Sequence, residues 1–187
     1  EGTITWRVPD PASKAAAASL ILKAKGTNIL ASIKAGMLNG LEVWFMNNDK
    51  EVVRVVRPQK MFMVVSQKAM AAAARPVEVS KFVKTGETAK ILNYKCTKYT
   101  GEMKAEGAIT KVAIWTTTEI KDDLKVLAHQ PDPLRNPKLP EGVEGIPLKI
   151  ERTDSTRTAV MEVTEVKFER LSDNLFQIPP DFKDIGK

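Results

Sequence analysis

Residues 41–65 read LEVWFMNNDKEVVRVVRPQKMFMVV, and this stretch decides the fold. Three apolar runs, at 41–46, 51–57 and 60–65, are separated by NNDK and RPQK, which are typical of tight turns. Apolar side chains occupy both alternating faces, because Val43 and Phe45 share one face while Trp44 and Met46 occupy the other. A sheet with one wet face does not show this pattern. The stretch therefore predicts three antiparallel strands, for which either a second layer covers the outside, or one face lines a cavity and the other meets a partner.

The same strand pattern extends from this stretch toward both ends of the chain. Residues 2–8 alternate between apolar and polar side chains, and Gly26-Thr27 separates runs at 19–25 and 28–35 as a hairpin turn would. In the run 157–169 the apolar phase changes between Val163 and Val166, which predicts a β-bulge at 164–165. Further strands are predicted at 81–84, 92–100, 108–117 and 147–153.

Two short helices and one long loop interrupt the strands. The Ala-rich segment SQKAMAAAAR at 66–75 is followed by a proline and predicts a helix. A second helix is predicted at 119–128, where Ile120, Leu124 and Leu127 form an apolar stripe. The stretch 130–146 contains four prolines and two glycines, which is typical of an irregular lid, binding loop or linker.

These elements predict one mainly β domain with α+β character that covers residues 1–187. It comprises about eleven largely antiparallel strands, and connections this short favour antiparallel pairing. Along the chain we expect a strand meander at 1–65, a helix at 66–75, strands at 80–117, a helix at 119–128, a Pro-rich loop at 130–146, a final hairpin at 147–169 and a C-terminal tail at 170–187.

Composition excludes several classes of protein. The chain has 187 residues, 43% of them hydrophobic and 28% charged, which excludes disordered and collagen-like classes. No apolar run approaches the roughly 18 to 20 residues of a membrane-spanning helix. The formal net charge of +6 lies wholly in residues 1–75, which favours either an anionic partner or a solubilising lysine-rich surface.

Catalytic and metal-binding patterns are lacking in the sequence. His129 is the single histidine and Cys96 the single cysteine, so neither a catalytic triad nor a usual zinc site can be assembled around them. Asp122-Asp123 and Asp132 do not have the spacing of a calcium loop. We therefore expect no enzyme activity, no cofactor and no metal. The run 94–104 (YKCTKYTGEMK) interleaves aromatics with lysines, but acidic residues balance basic ones in this half, and we do not expect nucleic-acid binding.

A set of short motifs resembles a known family. Tyr94-Lys95-Cys96-Thr97-Lys98-Tyr99, Ile114-Trp115-Thr116-Thr117, Gly145-Ile146-Pro147-Leu148, Met161-Glu162-Val163-Thr164 and Leu175-Phe176-Gln177-Ile178-Pro179 occur in this order, and Lys60-Met61-Phe62-Met63 also fits. Together they resemble a bacterial domain-of-unknown-function family of envelope proteins whose fold is like that of the lipoprotein carriers LolA and LolB.

The resemblance implies a fold, a location and a class of ligand. The implied fold is an unclosed, strongly curved antiparallel β-barrel, with two or three short helices at its mouth and an apolar cavity inside. It implies export to the periplasm or the outer membrane. Because the chain starts at Glu1 rather than Met, we expect a signal sequence, or another upstream segment, to have been removed.

The two-faced strands point to an apolar site. We expect the concave face to bind a lipid, an acyl chain or a lipidated peptide without catalysing a reaction. The alternative is a structural or protein-interaction module of the envelope whose core is filled by its own side chains, with an envelope protein as its partner. The candidate lining residues are Ile4, Trp6, Val8, Val43, Phe45, Val53, Val55 and Trp115.

Overall fold

The computed structural model describes residues 1–9, 17–34, 40–46, 51–66, 77–120, 124 and 139–186. Thirteen strands lie in these segments. Two short 3-10 turns, Arg57–Gln59 and Asp173–Phe176, accompany them. The strands are β1 Gly2–Pro9, β2 Ala17–Lys25, β3 Asn28–Lys34, β4 Leu41–Met46, β5 Glu51–Val56, β6 Met61–Ser66, β7 Glu78–Val79, β8 Val83–Ile91, β9 Tyr94–Ala105, β10 Ala108–Thr117, β11 Ile146–Thr153, β12 Thr158–Phe168 and β13 Lys183–Asp184.

All thirteen strands belong to one large, curved sheet. Its order is β13-β6-β5-β4-β3-β2-β1-β12-β11-β10-β9. Both β7 and β8 pair with the edge of β9 that β10 leaves open. Every pairing is antiparallel except that of β13 with β6. In the described part of the chain no strand pairing joins the β6 edge to the β8 edge, so the barrel is not closed. The predicted mainly β architecture and open barrel edge are confirmed.

The antiparallel ladders give the sheet two ends. The β2–β3 turn at Gly26 lies at one end, together with the start of β1 and the last residues of β12. The β5–β6 turn at Pro58 lies at the opposite end, together with the β9–β10 and β11–β12 turns. We call these the Gly26 end and the Pro58 end.

Apolar residues cover both faces of the sheet. The inner face is the side of the sheet on which Ile4, Trp6 and the residues that pair with them lie. It carries the larger apolar cluster, which spans β1–β5 and β9–β12. The outer face carries a second cluster around Leu30 and Trp44. Coverage on both sides explains why the central strands have apolar residues in both phases.

Residues 169–186 form the second layer on the outer face, and we call them the C-terminal strap. Leu171 and Phe176 are buried in the outer cluster against Leu30 and Trp44. The strap ends as β13, where the Lys183 and Ile185 amides donate hydrogen bonds to carbonyl oxygens of Lys60 and Phe62 at 2.8 and 2.9 Å. A segment expected to be a C-terminal tail is thus part of the core.

Several predicted elements differ from those observed. The count of about eleven strands rises to thirteen because β7 and β13, of two residues each, were not predicted. The structure contains no α-helix within the residues it describes. Ser66 ends β6, and the rest of the predicted 66–75 helix lies outside the described residues, as does most of the 119–128 helix and the first part of the 130–146 loop.

The predicted β-bulge in the last long strand is confirmed. On β12, Glu165 pairs with Thr5 and Val163 pairs with the next residue, Trp6, so Thr164 is the extra residue. The bulge lets both Val163 and Val166 reach the inner face, because it shifts the alternation by one position.

Candidate functional site

The inner-face cluster is the largest apolar feature of the described chain. Its members are at most 7% exposed, and they include side chains from both halves of the sheet. At the Gly26 end the cluster is closed by Ile120 and Leu124, which follow β10 and are 2% and 0% exposed. A Cβ added to Gly2 would lie 3.3 Å from Leu124 Cδ2, so the Leu124 side chain packs directly on β1. The inner face is therefore apolar and closed at one end.

The inner cluster takes in most of the predicted lining residues. Ile4, Trp6, Val43 and Phe45 are buried within it, and Val8 is half-buried against it. Trp6 and Phe45 are 3% and 2% exposed. The ladder brings these residues together across four strands, because each strand pairs in register with its sequence neighbour.

Val53 and Val55 require a correction, because they lie on the outer face. The β4–β5 register pairs Val53 with Trp44 and Val55 with Glu42, and paired residues of an antiparallel ladder point to the same side. Both valines belong to the outer cluster, beneath the C-terminal strap. Val52 replaces them on the inner face, where it pairs with Phe45.

Trp115 also requires a correction, because its register places it on the outer side of β10 with Lys98, although it packs at the margin of the inner cluster. It pairs with Lys98 and Lys149, and the Lys98 ammonium lies 5.4 Å from the centre of its ring, in cation–π range. Its indole Nε1 is buried with no hydrogen-bond partner among the described residues. Lys98 also bonds Glu87 at 3.0 and 3.1 Å. This contact on the β8–β10 surface was not expected from the sequence.

The outer face next to Lys98 carries an open groove of about 460 Å³. Its charged side chains are of both signs, with Lys98 and Lys111 opposed by Glu102 and Glu151. A smaller groove of about 360 Å³ lies near Lys90, Lys95 and Glu119. Neither groove coincides with the predicted apolar site, which lies on the other side of the sheet.

The lysine–aromatic run at 94–104 does not present its rings on one surface with its lysines. Tyr99 is buried on the inner face, where it pairs with Ile114. Lys98 and Lys104 alternate with it, and they form ion pairs with Glu87 and Glu78. The rings and the lysines thus lie on opposite sides of β9.

Cys96 is fully buried, and burial raises the pKa of its thiol to about 11. The nearby Glu119 carboxylate acts in the same direction, while a backbone hydrogen bond at Ile91 opposes it. The thiol is therefore protonated and apolar in character near neutral pH.

His129, Asp122, Asp123 and Asp132 lie outside the described residues. Within the described segments no three acidic, histidine or cysteine side chains are close enough to hold a metal ion.

An ion pair on the outer face joins β4 to the Pro58 turn, and its Glu42 side chain is 11% exposed whereas its Arg57 side chain is 39% exposed. Glu42 accepts hydrogen bonds from Arg57 Nε at 2.5 Å, Arg57 Nη2 at 2.8 Å and Trp44 Nε1 at 2.9 Å. These bonds pair the carboxylate with a bidentate guanidinium and also satisfy the indole N–H. The pair holds the Pro58 turn against β4. The sequence pattern did not predict this structural role.

Together, the fold and the site define a mainly β protein with an open, curved sheet and an apolar inner face. The chain belongs to the domain-of-unknown-function family DUF4412, whose model matches residues 1–182. None of the curated proteins compared with the chain matches it. A solved structure of PNGF-II is similar at 18% sequence identity and a TM-score of 0.49, over 94% of this chain. The matched region spans 30% of the PNGF-II chain.

The described residues contain no helix that is long and apolar enough to cross a bilayer. Membership of a domain-of-unknown-function family is confirmed. The likeness to lipoprotein carriers and the envelope location stay predictions.

Proposed function

We propose that the protein binds the apolar part of a lipid, an acyl chain or a lipidated peptide on its inner face, and that it does so in the bacterial cell envelope without catalysing a reaction. The observation that carries the proposal is the continuous apolar inner face of a sheet whose edges do not pair in the described chain. Burial of a ligand's apolar surface there would supply about 25 cal/mol per Å². The envelope location is supported by the resemblance of the sequence motifs alone.

Residues at the margin of the inner face suit an adaptable site. Met61 and Met63 of β6 lie on the inner side by register, and Met103 and Met161 pack against the inner cluster. All four are only half-buried. Unbranched thioether side chains repack readily around different apolar shapes.

The test is native mass spectrometry of the full chain, purified from bacteria without detergent and then incubated with 1-dodecanol. We expect a one-to-one complex that dissociates when the alcohol is extracted. Trp6 and Phe45 are too deeply buried for charged replacements, which would test folding rather than binding. Met161→Asp is the better variant, and we expect it to abolish the complex.

Val160→Asp is the matched control. Val160 is the neighbouring residue of β12, faces the other side and is 41% exposed, so its replacement leaves the inner face intact. Equal binding by both variants would place the ligand elsewhere. The cellular part of the proposal is tested by fractionation, which should recover the protein with the envelope.

A self-filled interaction module is the second candidate, and the low exposure of the inner cluster favours it. Side chains that are at most 7% exposed already have neighbours on most sides. A mass spectrum with no adduct at any dodecanol concentration would support this reading and overturn the first.

A further inference from the structure

The groove of about 460 Å³ crosses the outer face of β8–β11, on the side of the sheet away from the inner cluster. One row of paired residues forms its floor: Val83, Thr100, Ala113 and Glu151. Ala113 is the chain neighbour of the inner-cluster residue Ile114, so the row faces outward. Because neighbouring strands are about 4.8 Å apart, the row is about 14 Å long.

The row is a groove because its central side chains are short. Side chains two positions apart on a strand share a face, and the longer ones beside Thr100 and Ala113 form the walls. Those wall residues are Lys98 and Glu102 on β9 and Lys111 on β10, and they all line the groove. The resulting volume lies in the range of sites that hold small molecules.

The groove offers hydrogen-bond donors and acceptors side by side. Its donors include Lys98 and Lys111, its acceptors include Glu102 and Glu151, and the hydroxyls of Thr100 and Thr153 can act as either. Lys111 pairs with Glu102 across the ladder, yet the two form no ion pair in the described chain. A purely anionic or purely cationic ligand would meet a like charge here, whereas a neutral ligand with many polar groups would not.

The floor of the groove does not suit an extended peptide. Peptides that add to a sheet do so through main-chain hydrogen bonds at an open edge. Here the floor is the face of a sheet, and the central strand β10 is paired on both sides, with β9 and with β11. The floor also presents apolar surface, since Val83 is 62% exposed and Ala113 is half-buried. Only side-chain polar groups and C–H surface are therefore available to a ligand.

We propose that this outer groove binds a short neutral oligosaccharide. Its hydroxyls bond Glu102 and Lys111, and the C–H surfaces of its rings lie on Val83 and Ala113. Sugars suit this arrangement because each hydroxyl both donates and accepts, so it can bond an ammonium or a carboxylate. The inference goes beyond the proposed function and does not rest on it, since the groove lies on the other side of the sheet.

The test is an NMR titration that observes the indole N–H signals of the full chain. The Lys98 ammonium lies 5.4 Å from the centre of the Trp115 ring, so a ligand that bonds Lys98 changes the surroundings of this indole. The probes are cellotetraose, maltotetraose and tetra-N-acetylchitotetraose, with tetraglutamate and tetralysine peptides for comparison. We expect at least one sugar to shift the Trp115 signal saturably, with a Kd of about 1 mM because the groove is open. Neither peptide should do so, and the signals of the buried Trp6 and Trp44 should stay fixed.

Ala113→Gln is the variant that fills the floor, and we expect it to raise the Kd at least tenfold. Ala108→Gln is the matched control, because it adds the same side chain to an exposed position of the same strand outside the groove. It should leave the Kd unchanged. Lys111→Met replaces an exposed side chain and serves if Ala113→Gln does not fold. Loss of its hydrogen bond should raise the Kd about threefold.

The outcomes that would overturn the inference are distinct from those that bear on the inner face. No saturable shift with any of the three sugars, or tighter binding of either peptide, would overturn the ligand class. A Kd that is equal in Ala113→Gln and Ala108→Gln, or unchanged in Lys111→Met, would overturn the site. Binding of 1-dodecanol on the inner face is measured separately, so each proposal can fail without the other.

Discussion

Gly101 lies in β9 directly beneath the ring of Phe82. A Cβ at this position would come within 2.4 Å of Phe82 Cδ2, and that ring is only 2% exposed. We expect Gly101→Ala to lower the free energy of unfolding by about 2 kcal/mol, the usual cost of overpacking a core. Urea denaturation measures this change.

A double-mutant cycle with Phe82→Ala serves as the control for Gly101. Once the ring is removed, the added methyl group has space, so Gly101→Ala should cost little in that background. An equal cost in both backgrounds would show that the strain has another source.

Cys96 provides a test of burial at the level of one atom. Burial raises the pKa of its thiol to about 11, so at pH 8 the folded protein holds far less thiolate than the unfolded chain. Its reaction with Ellman's reagent at pH 8 should therefore be slower than that of the urea-unfolded chain by a factor of about 100 or more. A reaction equally fast in both states would contradict the buried position.

Sequence patterns predicted the face of the sheet correctly for some residues and wrongly for others. The inner placement of Ile4 and Trp6 followed from strict alternation within residues 2–8, whereas Val43 and Phe45 lie in a run with apolar side chains in both phases. Val53 and Val55 were predicted on the wrong face, because the run Val-Val-Arg-Val-Val presents valines in both phases, and only pairing with β4 decides which phase faces inward.

The C-terminal strap is the element that covers the outer face. An ion pair lies toward each end: Lys25 with Asp173 at 2.8 Å and Lys60 with Asp181 at 2.8 Å. Hydrogen bonds from the lysines lower the pKa of both aspartates, and the same bonds raise the pKa of both lysines. The lowered aspartate pKa values mean that this contribution is complete above the ordinary carboxyl pKa, near 4, and is lost as the pH falls through the lowered values.

We therefore expect the strap to loosen in acid before the sheet unfolds. The amide NMR signals of Phe176 and Lys183 should move as the pH is lowered from 6 to 3, while those of β10 stay unchanged. Asp173→Asn with Asp181→Asn should show the loosened signals already at pH 6. Strap signals that stay fixed until global unfolding, in both proteins, would contradict this role of the ion pairs.

Elements were predictable where one local signal dominated. The β12 bulge was predicted because the apolar phase shifts within a single strand. The strap was not, because Leu171, Phe176 and Phe182 follow no regular period, and their burial depends on an outer face built by residues more than 100 positions earlier in the chain. Long-range packing of this kind leaves little trace in local sequence.

At the scale of the whole molecule, the sequence predicted a mainly β chain because turn signals separate most of its apolar runs. It did not reveal the groove on the outer face. Val83 and Glu151 are far apart in the sequence, and only the order of β8 to β11 in the sheet places them in one row. The distribution of charge along the sequence showed that the excess of positive charge lies in the first 75 residues. It did not show which side of the sheet the charged residues face.

The most direct test of apolar binding on the inner face is a methyl NMR titration of the full chain with dodecanoate. We expect saturable shifts at the methyl groups of Met63, Met103 and Met161 on the inner side. The outward-facing Val64 and Val160, which are 45% and 41% exposed, should not shift. Shifts confined to these outer valines, or no saturable shift at any methyl group, would contradict the assignment of the inner face as a ligand site.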